Sequence, residues 1–328
     1  MDQIAFFFRE YYIYWSSVLL MVAVCVAIFL FLSLYLGRGG KMAAAFGVVP
    51  LAVLVSLICA RLIHWYCFAE SYSGFTTAMT DYSQGGFALV GAFAGCALAV
   101  GVLTVVKTVP DPLRMLDCMC LAGGGGIAIG RLASFFSTAD RGQILESIRS
   151  LPLASAVINV VSKATEYRLA TFMLQAMVAL ALFIILSIFY LKGKDKVKDG
   201  DTCLIFLLVY CASQVVLDST RYDSLFFRSN GFVSIVQVFS ALGLGLVIAV
   251  FSKRLVKVTG FKIWYVFWWI LIGGCIGGGG FMEYYVQRHG DQPVFAYSVM
   301  SAFLAVIVLL TLLLRFVAVR AERKMEIA

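Results

Sequence analysis

The stretch that decides the fold is residues 123–137, which read Gly-Gly-Gly-Gly-Ile-Ala-Ile-Gly-Arg-Leu-Ala-Ser-Phe-Phe-Ser. It is apolar and rich in glycine, and its single charged residue is Arg131. An arginine at the end of an apolar helix is costly in lipid, so it usually faces a partner, a cavity or an anionic ligand. The glycines allow another backbone or a ligand to approach closely. We interpret Arg131 as the anchor of an anion site in a membrane protein. The alternative is that Arg131 snorkels to the headgroups and only anchors the helix end.

The composition of the whole chain indicates the same class of protein. Of its 328 residues, 62% are hydrophobic and 13% are charged, whereas a soluble domain is about half apolar. Nine apolar runs of about twenty residues are each long enough to cross a bilayer core of about 30 Å. They cover residues 14–36, 43–66, 85–106, 115–136, 169–191, 202–219, 231–251, 263–281 and 297–318. The sequence therefore predicts an all-α polytopic membrane protein.

Between the fourth and fifth runs lies the longest segment outside the membrane, residues 137–167. Its apolar middle, residues 151–161, is too short to span, and we expect an interfacial or small packed element there. The nine cysteines fall almost entirely inside apolar runs and form no CxxC pair. We interpret them as small membrane-core residues, and we expect no metal site and no cofactor. The formal net charge of +8 is attributed to cytoplasmic loop lysines, which argues against a nucleic-acid partner.

Lysine and arginine set the predicted orientation. The segments after runs one, three, five, seven and nine hold most of the 26 basic residues, and such loops lie in the cytoplasm. The N-terminus is then outside and the C-terminus inside. The polar residues of the runs gather at the outer ends, namely Arg61, His64, Arg131, Gln214, Asp218 and Arg221. An ion path would need polar groups along the whole membrane depth, so this pattern favours a site at the outer face of the cytoplasmic membrane.

Two of these groups suggest chemistry. The planar fork of Arg61 suits a phosphodiester, and His64, three residues on, shares its helix face. The alternative is an interfacial belt in which Arg61 snorkels beside Trp65 and Tyr66. In the sixth run Gln214, Asp218 and Arg221 follow at i, i+4 and i+7 and predict one shared face. Asp218 and Arg221 can pair there, which could serve the site or only lock two helices together.

Five segments of the chain together resemble the prolipoprotein diacylglyceryl transferase family. Residues 130–136, Gly-Arg-Leu-Ala-Ser-Phe-Phe, are similar to the family's arginine signature Gly-Arg-Ile-Gly-Asn-Phe-Ile, and residues 60–62 to its second-helix Ala-Arg-Leu. Residues 84–91 resemble its Glu-Gly-Gly-Met-Ser-Phe-His-Gly, and residues 210–221 and 234–237 resemble its sixth-helix and Ser-Met-Gly-Gln motifs. The segments occur in the family's order.

The resemblance implies a fold and a reaction. It implies a seven-helix transferase-like domain in residues 1–255, with residues 256–328 as a two-helix C-terminal extension that has no counterpart in the family core. Such enzymes move the diacylglyceryl group of phosphatidylglycerol to the lipobox cysteine of a prolipoprotein signal peptide in the bacterial cytoplasmic membrane. Their partners are therefore this lipid, that peptide and the surrounding membrane lipids. The implied catalytic residues are Arg131, His64, Asp218 and Arg221, and the implied phospholipid-binding residues are Arg61, Gly85, Gly86, Ser134, Gln214 and Gln237.

The chain departs from the family pattern at several polar positions. The family's histidine falls on Val90, its sixth-helix arginine on Gln214 and its glutamate on Asp218. The Asn-Gly-Glu that ends the signature is replaced by Ser137, Thr138 and Ala139. We hypothesise that His64 takes over as the base. The alternatives are a catalytically silent relative that binds lipid or a signal peptide, and a small transporter.

Overall fold

The computed structural model describes residues 4–8, 11–81, 86–159, 162–193, 197–227, 230–288 and 292–327. These residues form ten α-helices, most of them long and apolar. The helices are α1 (Trp15–Gly37), α2 (Met42–Cys67), α3 (Phe75–Thr80), α4 (Leu89–Val105), α5 (Pro112–Leu132), α6 (Thr171–Lys192), α7 (Asp201–Ser219), α8 (Ile235–Thr259), α9 (Trp264–Arg288) and α10 (Pro293–Ile327).

Each of the nine predicted apolar runs corresponds to one of these helices. Among the described residues, eight helices are long and apolar enough to cross a membrane, and α4 is a shorter apolar helix. The all-α polytopic membrane class is confirmed. The helix outside the prediction is α3, which has only 6 residues and lies in the polar loop between α2 and α4.

The described residues also form three short antiparallel hairpins, one before α1 and two between helices. They pair β1 (Ile4–Phe8) with β2 (Tyr11–Tyr14), β3 (Ala154–Ile158) with β4 (Thr165–Leu169), and β5 (Phe226–Phe227) with β6 (Asn230–Ser234). In the segment between α5 and α6, strand β3 lies in the apolar middle and β4 follows it. Residues Ala154–Ile158 pair in antiparallel register with Thr165–Leu169. The pairing supplies hydrogen-bond partners to the backbone of this non-helical stretch.

The chain groups into two compact units. The first comprises Met1–Phe206 and Thr220–Ile235, and the second comprises Leu207–Ser219 and Val236–Ala328. The division predicted from the sequence, with a boundary near residue 255, stays a prediction.

Glycines in α4 let it pack closely on α2 in the first unit. A Cβ atom added to Gly91 would lie 2.5 Å from the Ala60 Cα, and one added to Gly95 would lie 2.5 Å from the Ser56 Cα. The Ser56 hydroxyl donates to the Ala92 carbonyl at 3.0 Å. Small residues spaced four apart are how membrane helices bring their backbones together.

The glycine run of α5 serves a similar contact with α1. A Cβ at Gly126 would lie 2.9 Å from the Ala27 Cβ and 3.2 Å from the Ala23 carbonyl oxygen. The α1 backbone therefore approaches the glycine run of α5 closely, as predicted. It seats the helix that carries Arg131 against α1.

In the second unit α9 packs along α10. Arg254 of α8 pairs with Glu322 of α10, with 3.2 Å between the Arg254 Nε and the Glu322 Oε1. The Gln237 amide of α8 donates to the Val215 carbonyl of α7 at 3.3 Å. These contacts join α7, α8, α9 and α10 within one unit.

Candidate functional site

The Asp140 carboxylate forms ion pairs with two arginines of the first unit. The Arg131 Nη1 lies 2.9 Å from the Asp140 Oδ1, and the Arg221 Nη2 lies 2.7 Å from the same oxygen. The Ser134 hydroxyl donates to the other oxygen, Oδ2, at 2.6 Å. Both carboxylate oxygens are therefore used, and the two guanidinium groups meet at one point.

A second carboxylate closes the group. The Asp140 backbone N–H donates to the Asp223 Oδ2 at 2.9 Å, and the Arg221 Nε and Nη2 lie 3.1 and 3.0 Å from the Asp223 Oδ1. We call Arg131, Ser134, Asp140, Arg221 and Asp223 the arginine–aspartate cluster. Two positive and two negative charges balance, which lowers the cost of holding them half-buried.

The chain after α5 is shaped to bring Asp140 back to Arg131. The helix ends at Leu132 and tightens into a 3₁₀ turn over Ala133–Phe136. Asp140 then adopts a left-handed backbone with φ of 58°, a conformation that aspartate tolerates better than most residues. Non-glycine residues held in this region cluster at functional sites. The turn thus points the Asp140 carboxylate at the end of the helix it has just left.

Backbone pairing brings Arg221 to the same place. Gly142 and Arg221 form an isolated antiparallel bridge, and the Tyr222 N–H donates to the Arg141 carbonyl at 2.8 Å. A Cβ at Gly142 would lie 2.8 Å from the Thr220 carbonyl oxygen and from the Leu169 Cβ. A residue without a side chain is therefore needed where these two segments cross.

Arg141 fastens the turn from the other side. It is 7% exposed, its Nε donates to the Ser155 hydroxyl of β3 at 3.1 Å, and its Nη1 donates to the Ser137 carbonyl. Burial lowers the pKa of the Arg141 guanidinium, and the nearby Asp140 and Asp223 carboxylates act in the opposite direction. Arg141 thus positions the loop that carries Asp140.

The charge state of Asp140 follows from its neighbours. Burial alone would raise the pKa of the Asp140 carboxyl, but Arg131 and Arg221 attract its negative form and the Ser134 hydroxyl donates to it. Together these contacts hold the pKa well below its usual range. Asp140 is therefore ionised at neutral pH and orients the two guanidinium groups.

Arg61 lies in a second group of contacts, between α2 and the loop that follows it. The side chain is 3% exposed. Its Nε donates to the Ala78 carbonyl at 2.6 Å, its Nη1 to the Gly86 carbonyl at 2.9 Å, and its Nη2 to the Asp81 carbonyl. Arg61 therefore ties α2 to the backbone at Ala78, Asp81 and Gly86.

His64 and Gly86 belong to the same group. Gly86 has φ of +94°, and a Cβ there would lie 2.5 Å from the His64 Cε1 and 2.6 Å from the Arg61 Nη1. The centroids of the His64 and Phe68 rings are 4.8 Å apart. The His64 Nδ1 lies 3.5 Å from the Tyr72 hydroxyl oxygen. Only glycine combines this backbone with this closeness. Gly85, the other predicted glycine, lies outside the described residues.

The remaining predicted site residues belong to the second unit. Gln214, Asp218 and Gln237 are all buried there, and Asp218 has no exposed surface. The predicted shared face of Gln214, Asp218 and Arg221 is wrong at its last member. The helix ends at Ser219, because the backbone at Arg221 and Tyr222 pairs with the segment at Arg141 and Gly142.

Sequence reasoning missed Asp140 and Asp223 as partners of the arginines. One signal was present, because each aspartate closely follows an arginine of interest, Asp140 nine residues after Arg131 and Asp223 two residues after Arg221.

The fold is that of a polytopic α-helical membrane protein, and two of its arginines meet at the end of the glycine-rich helix α5. The family model of prolipoprotein diacylglyceryl transferase matches residues 3–253. Since this is more than half of the chain, the protein belongs to that family.

Three relatives, each named phosphatidylglycerol–prolipoprotein diacylglyceryl transferase, illustrate the similarity. The Streptococcus uberis protein is 24% identical over 259 residues, covering 77% of this chain and 96% of the relative. The Clostridioides difficile protein is 25% identical over 258 residues, with the same coverage of 77% and 96%. The Nostoc protein is 27% identical over 237 residues, covering 70% of this chain and 82% of the relative. The chain is thus a divergent member that carries α9 and α10 beyond the matched region.

Proposed function

We propose that this protein transfers the diacylglyceryl group of phosphatidylglycerol to the lipobox cysteine thiol of a prolipoprotein signal peptide, at the outer face of the bacterial cytoplasmic membrane. The observation that carries the proposal is the meeting of Arg131 and Arg221 at Asp140, with 2.9 and 2.7 Å to one carboxylate oxygen. Arg131 is the arginine of the family signature. Two guanidinium groups so close together form a suitable receptor for a phosphodiester.

The transfer forms one bond and breaks one bond. The cysteine thiol loses its proton to a base, and the thiolate attacks the glyceryl carbon that carries the phosphate oxygen. A carbon–sulfur bond forms as the carbon–oxygen bond breaks, and glycerol phosphate leaves with the electron pair. Negative charge builds on the leaving phosphate, and Arg131 and Arg221 stabilise it there.

Asp140 has a positioning role in this scheme. Ionised and held by Ser134, it offsets the repulsion between the two guanidinium groups and fixes their directions. Fixed donors stabilise developing charge without reorganising during the reaction. Arg141 and Gly142 act one step further out, since they hold the turn on which Asp140 lies.

His64 is the proposed base. It shares a helix face with Arg61 and lies against Gly86 in the loop that resembles the family's glycine motif. An imidazole titrates near neutral pH and can accept a thiol proton. Replacing His64 by alanine is expected to reduce transfer by about 10²–10³-fold, and full retention of transfer would remove His64 from the mechanism.

A catalytically silent relative is the second candidate function. It is favoured by Val90 and Gln214, which stand where the family has its histidine and its sixth-helix arginine. Such a protein would bind phosphatidylglycerol or a lipobox peptide at the same arginines without transfer.

One assay separates the two candidates. Purified protein in phosphatidylglycerol vesicles is incubated with a lipobox peptide, and the mass of the peptide is measured. The proposed enzyme adds one diacylglyceryl group, and Arg131→Lys, which keeps the charge but loses the fork, is expected to reduce the rate by about 10²–10³-fold. A wild-type protein that binds the lipid but leaves the peptide mass unchanged is the silent relative.

Arg114→Lys is the matched control. Arg114 lies at the opposite end of the same helix, α5, and pairs with the exposed Asp199 at 3.1 Å. Arg114→Lys is chemically the same substitution as Arg131→Lys. The transfer rate should nevertheless stay within about twofold of the wild type, since exposed ion pairs contribute little. Equal losses in the two variants would contradict the proposed role of Arg131.

A further inference from the structure

Two thiols of the first unit lie in direct contact at the start of α7. The Cys120 Sγ of α5 is 2.9 Å from the Cys203 Sγ of α7, although 83 residues separate them in the sequence. Both cysteines are free thiols, and Cys203 is 8% exposed. Neither takes part in the proposed transfer. Their contact is made by the packing of two helices, which residue spacing does not reveal.

A buried carboxylate fixes the two helices against each other beside the thiols. The Asp117 side chain of α5 has no exposed surface. Its Oδ2 accepts a hydrogen bond from the Gly200 N–H at 2.7 Å, and its Oδ1 accepts one from the Cys203 N–H at 2.6 Å. Asp117 thus caps the first turn of α7, where backbone N–H groups have no partner within the helix. The residue that carries one thiol is therefore bonded directly to the helix that carries the other.

The contact between the helices extends along one side of α5. Arg114, Asp117 and Cys120 follow in steps of three residues, which places them on neighbouring turns. Arg114 pairs with Asp199 at 3.1 Å, so the three side chains meet residues 199–203 of the other segment in order. A contact fixed at three successive positions holds the sulfur atoms together without depending on their own attraction.

Thiols held in this way can bond to each other after a single oxidation. The S–S bond of a disulfide is about 2.05 Å long, so closure shortens the present separation by about 0.9 Å. An organic hydroperoxide oxidises one thiol to a sulfenic acid and is itself reduced to the alcohol. The second thiol then attacks the sulfenic sulfur, and the S–O bond breaks as the S–S bond forms and water leaves. Two thiols and one hydroperoxide give one disulfide, one alcohol and one water.

The neighbouring thiol also decides where the oxidation stops. A sulfenic acid without a partner is oxidised further to the irreversible sulfinic acid. A group fixed at contact distance reacts at a very high effective concentration, so the second thiol captures the sulfenic acid first. Burial keeps the initial step slow, because apolar surroundings disfavour the thiolate. The bond therefore forms under sustained oxidation and stays reversible by thiol exchange.

We propose that Cys120 and Cys203 are a redox modification site, at which organic hydroperoxides produce a reversible disulfide between α5 and the first turn of α7. The bond closes a covalent loop over residues 120–203, which contains Arg131 and Asp140. A loop of this kind restricts the unfolded chain and so favours the folded state. The inference concerns the first unit alone and does not rest on the proposed function.

Counting free thiols tests the site. The full-length protein in detergent is treated with tert-butyl hydroperoxide, denatured and alkylated with N-ethylmaleimide, and the adducts are counted by intact mass. The reduced chain should take nine adducts, one for each of its cysteines. The oxidised chain should take two fewer, and dithiothreitol should restore all nine. Peptide mapping without reductant should join the peptides that contain Cys120 and Cys203.

Serine variants make the assignment specific. Cys203→Ser leaves Cys120 without its partner, so dimedone should trap a sulfenic acid at Cys120 and no disulfide should form. Cys120→Ser gives the same comparison from the other helix, should Cys203→Ser fail to fold. Cys118→Ser is the matched control on α5, since the Cys118 Sγ lies 3.2 Å from the Tyr190 hydroxyl oxygen, and it should leave the disulfide unchanged. Melting temperatures report folding for every variant.

The site is overturned if the wild type keeps nine adducts at a hydroperoxide concentration that oxidises added glutathione completely. A cross-link between other cysteines, or a disulfide that still forms in folded Cys203→Ser, also overturns it. The cross-linked wild type should melt at or above the temperature of the reduced protein. A lower melting temperature would mean that the bond distorts the fold, and it would contradict the assignment as well.

Discussion

The Asp140 carboxylate is the point at which Arg131 and Arg221 meet. The left-handed backbone of Asp140 returns the carboxylate to Arg131, and the bridge between Gly142 and Arg221 delivers the second arginine. Removing the carboxylate would leave the two half-buried guanidinium groups without the charge that they share. Breaking a fully buried ion pair from one side costs about 3–5 kcal/mol, so this figure is an upper bound here.

The pH dependence of stability tests this role. Because the pKa of Asp140 is lower in the folded state than the ordinary value of about 3.9, its stabilisation is fully present above that value and is lost as the pH falls through the folded pKa. Asparagine tolerates the left-handed backbone of residue 140 as well as aspartate does. The Asp140→Asn variant is therefore expected to melt several degrees below the wild type because it loses the ion pairs. The difference in melting temperature should be constant from pH 8 to about pH 5 and should shrink below about pH 4.

Melting curves of both proteins across this range make the comparison. A difference that already closes between pH 7 and pH 5 would mean that the pKa of Asp140 is raised, and it would contradict the ion-pair assignment. Asp199→Asn is the control, since Asp199 is itself exposed and little change is expected at any pH above 5.

At this scale the sequence reveals the arginines but not their partners. Arg131, Arg221 and Ser134 stand out as polar residues at the ends of apolar runs, and the structure brings these three together. Helical spacing predicts contacts along one helix only. Asp140 and Asp223 reach the arginines through turns and a backbone bridge, and residue spacing carries no information on such tertiary contacts.

Among the elements, the pair α2 and α4 depends most directly on residue size. The Gly91 and Gly95 positions of α4 lie against the α2 backbone, whereas the Gly101 position of the same helix has no atom within 4 Å. The loop fastened by Arg61 ends where α4 begins, so the seating of α4 on α2 also sets the position of Gly86.

This contrast gives a prediction with an internal control. Gly95→Leu must displace the Ser56 backbone, and overpacking of this kind costs about 1–3 kcal/mol or more. Gly101→Leu adds the same side chain to the same helix and should leave the melting temperature unchanged within about 1 °C, as surface exchanges usually do. Thermal unfolding of both variants in one detergent distinguishes them, and equal melting temperatures would mean that α4 does not pack on α2 as described.

The elements themselves follow closely from the pattern of apolar residues. Every predicted run is a helix, because backbone groups in lipid must be satisfied within the segment. None of the three hairpins was predicted, since short apolar stretches outside the membrane fit several structures. The strand β6 takes up the first residues of the predicted run 231–251, and the helix begins only at Ile235. The run at 297–318 became part of the 35-residue α10, because its charged end, unlike a loop, contains no glycine or proline to stop the helix.

For the whole molecule, the side of the membrane on which each end lies depends on α4. With 17 residues, this helix is about 25 Å long, slightly less than a bilayer core of about 30 Å. If α4 crosses together with the eight longer candidate spans, the crossings are odd in number and the termini lie on opposite sides. If it does not cross, both termini lie on the same side.

From the distribution of basic residues we predict nine crossings. The lysines after α6 and after α8 then lie in the cytoplasm with the C-terminus, and the arginine–aspartate cluster lies outside with the N-terminus. A reporter active only outside the cell should give no signal when fused after Ala328, and an N-terminal epitope should be accessible in intact cells. Insertion of the epitope between Lys257 and Lys262 serves as the internal control and should become accessible only after the membrane is opened. An accessible C-terminus would place both ends outside and would mean that α4 does not cross the membrane. The arginine–aspartate cluster would then lie on the cytoplasmic side, which would contradict the proposed function.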